Sequence, residues 1–88
     1  MHAVFVTARI DDMERARQEL HDRVVPAVAQ EPGLVAGYWI PPARPGGTSN
    51  AVMVFESEGA AQAAAERYQP PSAVTIESIE VREVAAHT

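Results

Sequence analysis

The sequence predicts an α+β fold with a small antiparallel sheet and two helices. Short runs rich in β-branched and aromatic residues recur along the chain, and two stretches with helical patterning separate them. The 88 residues contain no cysteine, which excludes disulfide scaffolds, zinc–thiolate sites, iron–sulfur clusters and cysteine nucleophiles. A chain this short has little core to spare, so we expect residues 1–88 to form one domain.

The first half of the chain is predicted to form a strand, a helix and a second strand. His2–Ile10 is mostly apolar on both faces, and the aspartates at positions 11 and 12 offer an N-cap to the helix that follows. Pro26 is expected to kink this helix or restart it as a short turn, because proline has no backbone N–H. Leu34–Ile40 is again apolar on both faces and is predicted to be the second strand.

The second half is predicted to form a strand, a helix and a last strand. Residues 50–56 have strand composition, and Ser57 is a plausible N-cap for an alanine-rich helix over residues 58–68. In the last strand, residues 73–84, polar and apolar positions interleave but change phase, which predicts a bulge near Ser78. The polarity of this strand suits the edge of a sheet.

The element order is that of the split βαβ arrangement of the ferredoxin-like fold. Both helices then cover one face of the sheet, and the first and third strands form its centre. Since these strands are apolar on both faces, a monomer would expose a large apolar patch, and we predict a homodimer joined sheet to sheet. The candidates for the dimer face are Phe5 and Thr7 with Val52 and Val54, or with Ala51, Met53 and Phe55 if the third strand points the other way.

The charge and the hydropathy pattern limit the partners. The formal net charge is -5 and every basic residue is an arginine, which argues against a nucleic-acid partner that would be held through phosphate contacts. The longest uncharged stretch, residues 32–43, contains three prolines and is too short to span a bilayer. We therefore expect a soluble, cytoplasmic protein with no membrane partner.

Three segments resemble a known family. Residues 26–28, residues 31–39 and residues 52–61 are similar to dimeric α+β barrel proteins of the antibiotic-biosynthesis-monooxygenase type. The resemblance implies a ferredoxin-like protomer, a back-to-back dimer, and a cavity between each sheet and its helices for planar aromatic substrates or haem. Many enzymatic members carry a tryptophan where this chain has Glu58, and a histidine in the helix where it has residues 63–67, Ala-Ala-Ala-Glu-Arg. Because of these departures, we expect no haem degradation and no bound cofactor, and we assign no catalytic residue.

Any ligand is predicted to be small and largely apolar, and to bind between both helices and the sheet. The short side chains of the alanine-rich helix would either leave room for it or let this helix pack closely on the sheet with no void. The loop of residues 41–48 would lie near the entrance. Tyr38 and Trp39 must point to opposite faces of their strand, so that only one of them can face the helices. The candidates for lining this pocket are His21, Tyr38, Trp39 and Tyr68.

Three functions remain open from the residues alone. The first is a dimeric module that binds a small apolar or aromatic molecule without catalysis. The second is a cofactor-independent monooxygenase-like enzyme acting on an aromatic or quinone-like substrate, with Tyr38, His21 or Tyr68 in the cavity. The third is a purely structural dimer with a filled interior.

No tightly bound metal is expected, because the three histidines are scattered along the chain and two of them, His2 and His87, lie near its ends.

Overall fold

A computed structural model describes residues 1–88 and contains one four-stranded antiparallel sheet with two helical stretches. The sheet order is β2-β3-β1-β4, so the first and third strands are central, as predicted. This α+β architecture is compatible with a ferredoxin-like fold. The strands are β1 (His2–Ile10), β2 (Leu34–Ile40), β3 (Thr48–Phe55) and β4 (Val74–Glu83).

The two central strands divide their side chains between a helix-covered face and an open face. Alternate residues of β1 and β3 are buried under the helices, among them Val4, Met53 and Phe55. On the other face, Phe5 lies opposite Val52 in the antiparallel register. The orientation of the third strand is thereby decided: Val52 and Val54 point away from the helices, and Ala51, Met53 and Phe55 point towards them.

The first helical stretch has three parts: α1 (Met13–Glu19), a π-helical turn (Leu20–Val24) and α2 (Val25–Ala29). Its N-cap is Asp12, whose Oδ1 accepts a hydrogen bond from the Arg15 N–H at 3.2 Å. Asp11 has another role: its carboxylate accepts a hydrogen bond from the hydroxyl of Thr75 in β4. The predicted helix is therefore present, and its cap is the second of the two aspartates.

The π-helical turn accommodates Pro26 without breaking the helix. The N–H of Val25 donates to the carbonyl of Leu20, five residues back, and Pro26 has no N–H to donate to the preceding turn. The predicted short restart is present as α2, and the widened turn joins it to α1. Val24 and Val28 are four residues apart, which places them on the same side of α2, and both are buried.

The second helical stretch, α3 (Glu58–Arg67), begins at the predicted cap. The Ser57 hydroxyl accepts a hydrogen bond from the Ala60 N–H at 3.1 Å. In the last strand the pairing with β1 shifts between Ile76 and Ser78, which confirms the predicted bulge. The structure contains no helix with the length and apolar composition that crossing a bilayer requires.

Gly33, in the turn before β2, is expected to resist substitution. Its φ is +80°, and a Cβ there would lie 3.1 Å from the Cβ of Ala60. Because L-residues pay roughly 1–2 kcal/mol for left-handed backbone, Gly33→Ala should lower the free energy of unfolding by at least about 1 kcal/mol in urea denaturation.

Gly59→Ala is the matched control for this substitution. A Cβ at Gly59 meets nothing within 4 Å, and the position lies in the first turn of α3. Alanine should be neutral there or stabilise by roughly 0.4–1 kcal/mol. Equal changes in the free energy of unfolding for Gly33→Ala and Gly59→Ala would contradict the requirement for a positive φ at Gly33.

Candidate functional site

A cavity of 340 Å³ lies between the first helical stretch and the covered face of the sheet. Its walls are mainly apolar: Leu20 and Val25 come from the helical side, and Ala8 and Ile76 from the sheet. Its volume lies within the roughly 300–1,000 Å³ of pockets that hold small organic molecules. The arrangement can therefore enclose a small, largely apolar ligand.

Two aromatic side chains meet in this cavity. The indole Nε1–H of Trp39 donates a hydrogen bond to the Tyr68 hydroxyl oxygen at 3.3 Å. Burial raises the pKa of Tyr68, although the Trp39 hydrogen bond and the charge of Arg23 partly oppose this. Tyr68 therefore stays protonated at neutral pH, and its O–H has no acceptor in the protein. It can donate a hydrogen bond to an oxygen of a bound molecule.

One wall of the cavity is the 68–72 segment, which follows α3. Its prolines, Pro70 and Pro71, line the cavity. Arg23 donates to the Pro70 carbonyl at 2.8 Å, and the Glu19 carboxylate accepts from the Ser72 backbone N–H at 2.6 Å and from its hydroxyl at 2.8 Å. The hydrogen bonds from Ser72, that of the hydroxyl first, lower the pKa of Glu19. Two side chains of the first helical stretch thus hold this wall in place.

Two nitrogen-bearing side chains line the cavity from the helical side. Arg17 and His21 are four residues apart, so they project from successive turns. Both side chains are exposed to solvent, which places them at the mouth of the cavity. No aspartate or glutamate is among the lining residues. The mouth is therefore locally basic.

Three of the four predicted pocket residues come together here, and one does not. His21, Trp39 and Tyr68 line the cavity. Tyr38 is a correction: it pairs with Val52 on the open face and is 59% exposed. The alternation of β2 allows only one of the two neighbouring aromatic rings to face the helices, and that ring is Trp39.

The predicted source of the open space is also corrected. Ala61 and Ala64 of α3 are 0% and 5% exposed, because short side chains bring this helix close to the sheet instead of leaving a void. The cavity lies under the first helical stretch. Pro41 is the only residue of the 41–48 loop that lines it. Sequence reasoning missed Arg17 as a cavity residue, although its spacing from His21 could have indicated it.

The open face of the sheet is defined by Phe5, Thr7, Tyr38, Val52 and Val54. Tyr38, Val52 and Phe5 form one cross-strand row. The Arg82 guanidinium lies over the Phe5 ring, 5.5 Å from its centroid, and is paired with Glu80. All four predicted dimer-face residues therefore share one surface.

The histidines do not converge. Nε2 of His2 lies 3.6 Å from Oε2 of Glu58, whereas His21 is at the mouth of the cavity. No group of three histidine, aspartate or glutamate side chains lies close enough to hold a metal ion. The absence of a tightly bound metal stays a prediction.

Comparison with known proteins provides no family assignment. No protein-family model matches the chain, and no curated protein is significantly similar to it.

Proposed function

We propose that this protein is a dimeric binding module that holds a small, largely apolar or aromatic molecule between its sheet and its first helical stretch. The 340 Å³ cavity is the observation that carries the proposal. Its apolar walls favour an apolar body, and the flat indole of Trp39 suits a planar ring. The hydrogen bonds that hold the 68–72 segment support a cavity formed before the ligand arrives.

The proposed dimer joins two protomers through their open faces. Only 14 of 88 residues are buried in the protomer. Its accessible surface is 5619 Å², above the roughly 5,000 Å² expected for a folded monomer of its 9.5 kDa mass. Exposed Tyr38, beside Val52 and Phe5, supplies the apolar centre that such an interface needs. We also propose kinship with antibiotic-biosynthesis-monooxygenase-type barrels, with which the α+β element order is compatible.

Binding should be visible in the fluorescence of Trp39, which is the single tryptophan of the chain. Titration with 1,4-naphthoquinone should quench its emission with a saturable curve, because the ring would lie beside the indole. Val25→Phe adds bulk to a side chain that lines the cavity. This variant should weaken binding at least about tenfold, since the ligand and the added ring compete for one packed space.

The matched control is Val35→Phe, the same substitution at an exposed strand residue outside the cavity. Its titration curve should match that of the unchanged protein. Quenching that rises linearly without saturation, or equal weakening in both variants, would contradict binding in the cavity.

A cofactor-independent oxygenase remains the second candidate, since the Tyr68 phenol lies inside the cavity. The raised pKa of Tyr68 favours a hydrogen-bond donor over a proton acceptor at neutral pH, and this supports binding without catalysis. Oxygen uptake in the presence of a naphthohydroquinone, abolished by Tyr68→Phe, would favour the enzyme.

A further inference from the structure

The charges that line the cavity differ from those of the whole chain. The sequence has 12 acidic and 7 basic residues, yet the only residue of fixed charge that lines the cavity is Arg17. A single cation at the mouth of an apolar pocket attracts an anionic group and repels a cationic one. The position of Arg17 therefore favours a ligand that carries an anionic group at the mouth of the cavity.

Arg17 is free to bind a ligand. Arg23, Arg67 and Arg82 donate to oxygen atoms of the protein. The guanidinium of Arg17, like those of Arg9, Arg15 and Arg44, makes no hydrogen bond or ion pair, and of these four arginines only Arg17 lines the cavity. Its planar guanidinium presents donors in a geometry that matches a carboxylate. Nothing within the protein competes for that position.

Two other side chains that line the cavity have donors to offer, whereas the Ser49 hydroxyl already donates to the backbone carbonyl of Ala8. The hydroxyl of Tyr68 keeps its proton free, and the imidazole of His21 carries an N–H in either protonation state. A ligand that satisfies these groups must bring hydrogen-bond acceptors.

Building on the proposed function, we propose that the ligand is a small aromatic carboxylate. Arg17, assisted by His21, holds the carboxylate at the mouth of the cavity, and the ring lies inside against the apolar walls and Trp39. A neutral aromatic amide of the same size fills the same space but cannot form the charge-assisted hydrogen bonds.

Paired probes test this assignment. In Trp39 quenching and calorimetry, 2-naphthoate should bind at least about tenfold more tightly than 2-naphthamide, as expected for hydrogen bonds to a charged group. Arg17→Gln should remove this preference by weakening the acid and leaving the amide unchanged. Arg15→Gln, which removes the same charge two residues away at an exposed position outside the cavity, should retain the preference.

The outcomes separate the two proposals. If the amide binds as tightly as the acid, or Arg15→Gln acts like Arg17→Gln, the carboxylate assignment is overturned while the cavity remains a binding site. If neither probe nor naphthoquinone binds, both proposals fail. Arg17→Glu provides a further check, because it should reverse the preference towards 2-naphthylmethylamine.

Discussion

Phe55→Ala should lower the free energy of unfolding by about 3–5 kcal/mol, the usual cost of removing a buried phenylalanine ring. Phe55 is 0% exposed and belongs to the core between β3 and the helices. Native domains are stable by only about 5–15 kcal/mol, so the loss is a large share of the total. Urea denaturation at a fixed protein concentration, followed by circular dichroism, measures it.

Phe5→Ala is the control, since it deletes the same ring on the open face, where the side chain is only partly buried. At low protein concentration its cost should be clearly smaller than that of Phe55→Ala. Its cost should grow with protein concentration if the open face is an interface. A change below about 1 kcal/mol for Phe55→Ala would contradict the observed core.

Val52→Asp should convert the proposed dimer to a monomer. Val52 lies between Tyr38 and Phe5 at the centre of the open face. A carboxylate there would be buried without a partner in the dimer, at a cost of several kcal/mol. Size exclusion with light scattering at micromolar concentration should show the unchanged chain at twice 9.5 kDa and the variant at the monomer mass.

Gln62→Asp makes the same change of charge on the exposed surface of α3 and should leave the dimer intact. Either of two results would refute the interface: an unchanged chain that elutes as a 9.5 kDa monomer, or a Val52→Asp variant that remains dimeric.

Local signals in the sequence were sufficient for most of the fold. The bounds of β1 and β2 follow from β-branched composition and from the turn residues that flank them, and the bulge of β4 follows from its change of phase. The π-helical turn could not be predicted in this way. Helical periodicity shows that a stripe is apolar, but it does not distinguish a regular turn from a widened one when the spacing is four.

The candidate site was less predictable than the fold, for a physical reason. The side chains of Tyr38 and Trp39 point to opposite faces of any strand that contains them. Only the register with β3 decides which of the two rings faces the helices. Likewise, an alanine-rich helix is compatible with a void or with close approach, and the buried Ala61 shows close approach. Both ambiguities concern tertiary packing, which a single sequence leaves open.

The widened turn at Leu20–Val24 sets an angular offset within the first helical stretch. Each residue of an α-helix advances the chain by about 100° around the axis. One residue more or fewer in this turn would rotate Arg17 by about that angle relative to Val28. The direction in which the Arg17 side chain leaves the helix thus depends on how many residues the Leu20–Val24 turn contains, whatever their side chains are.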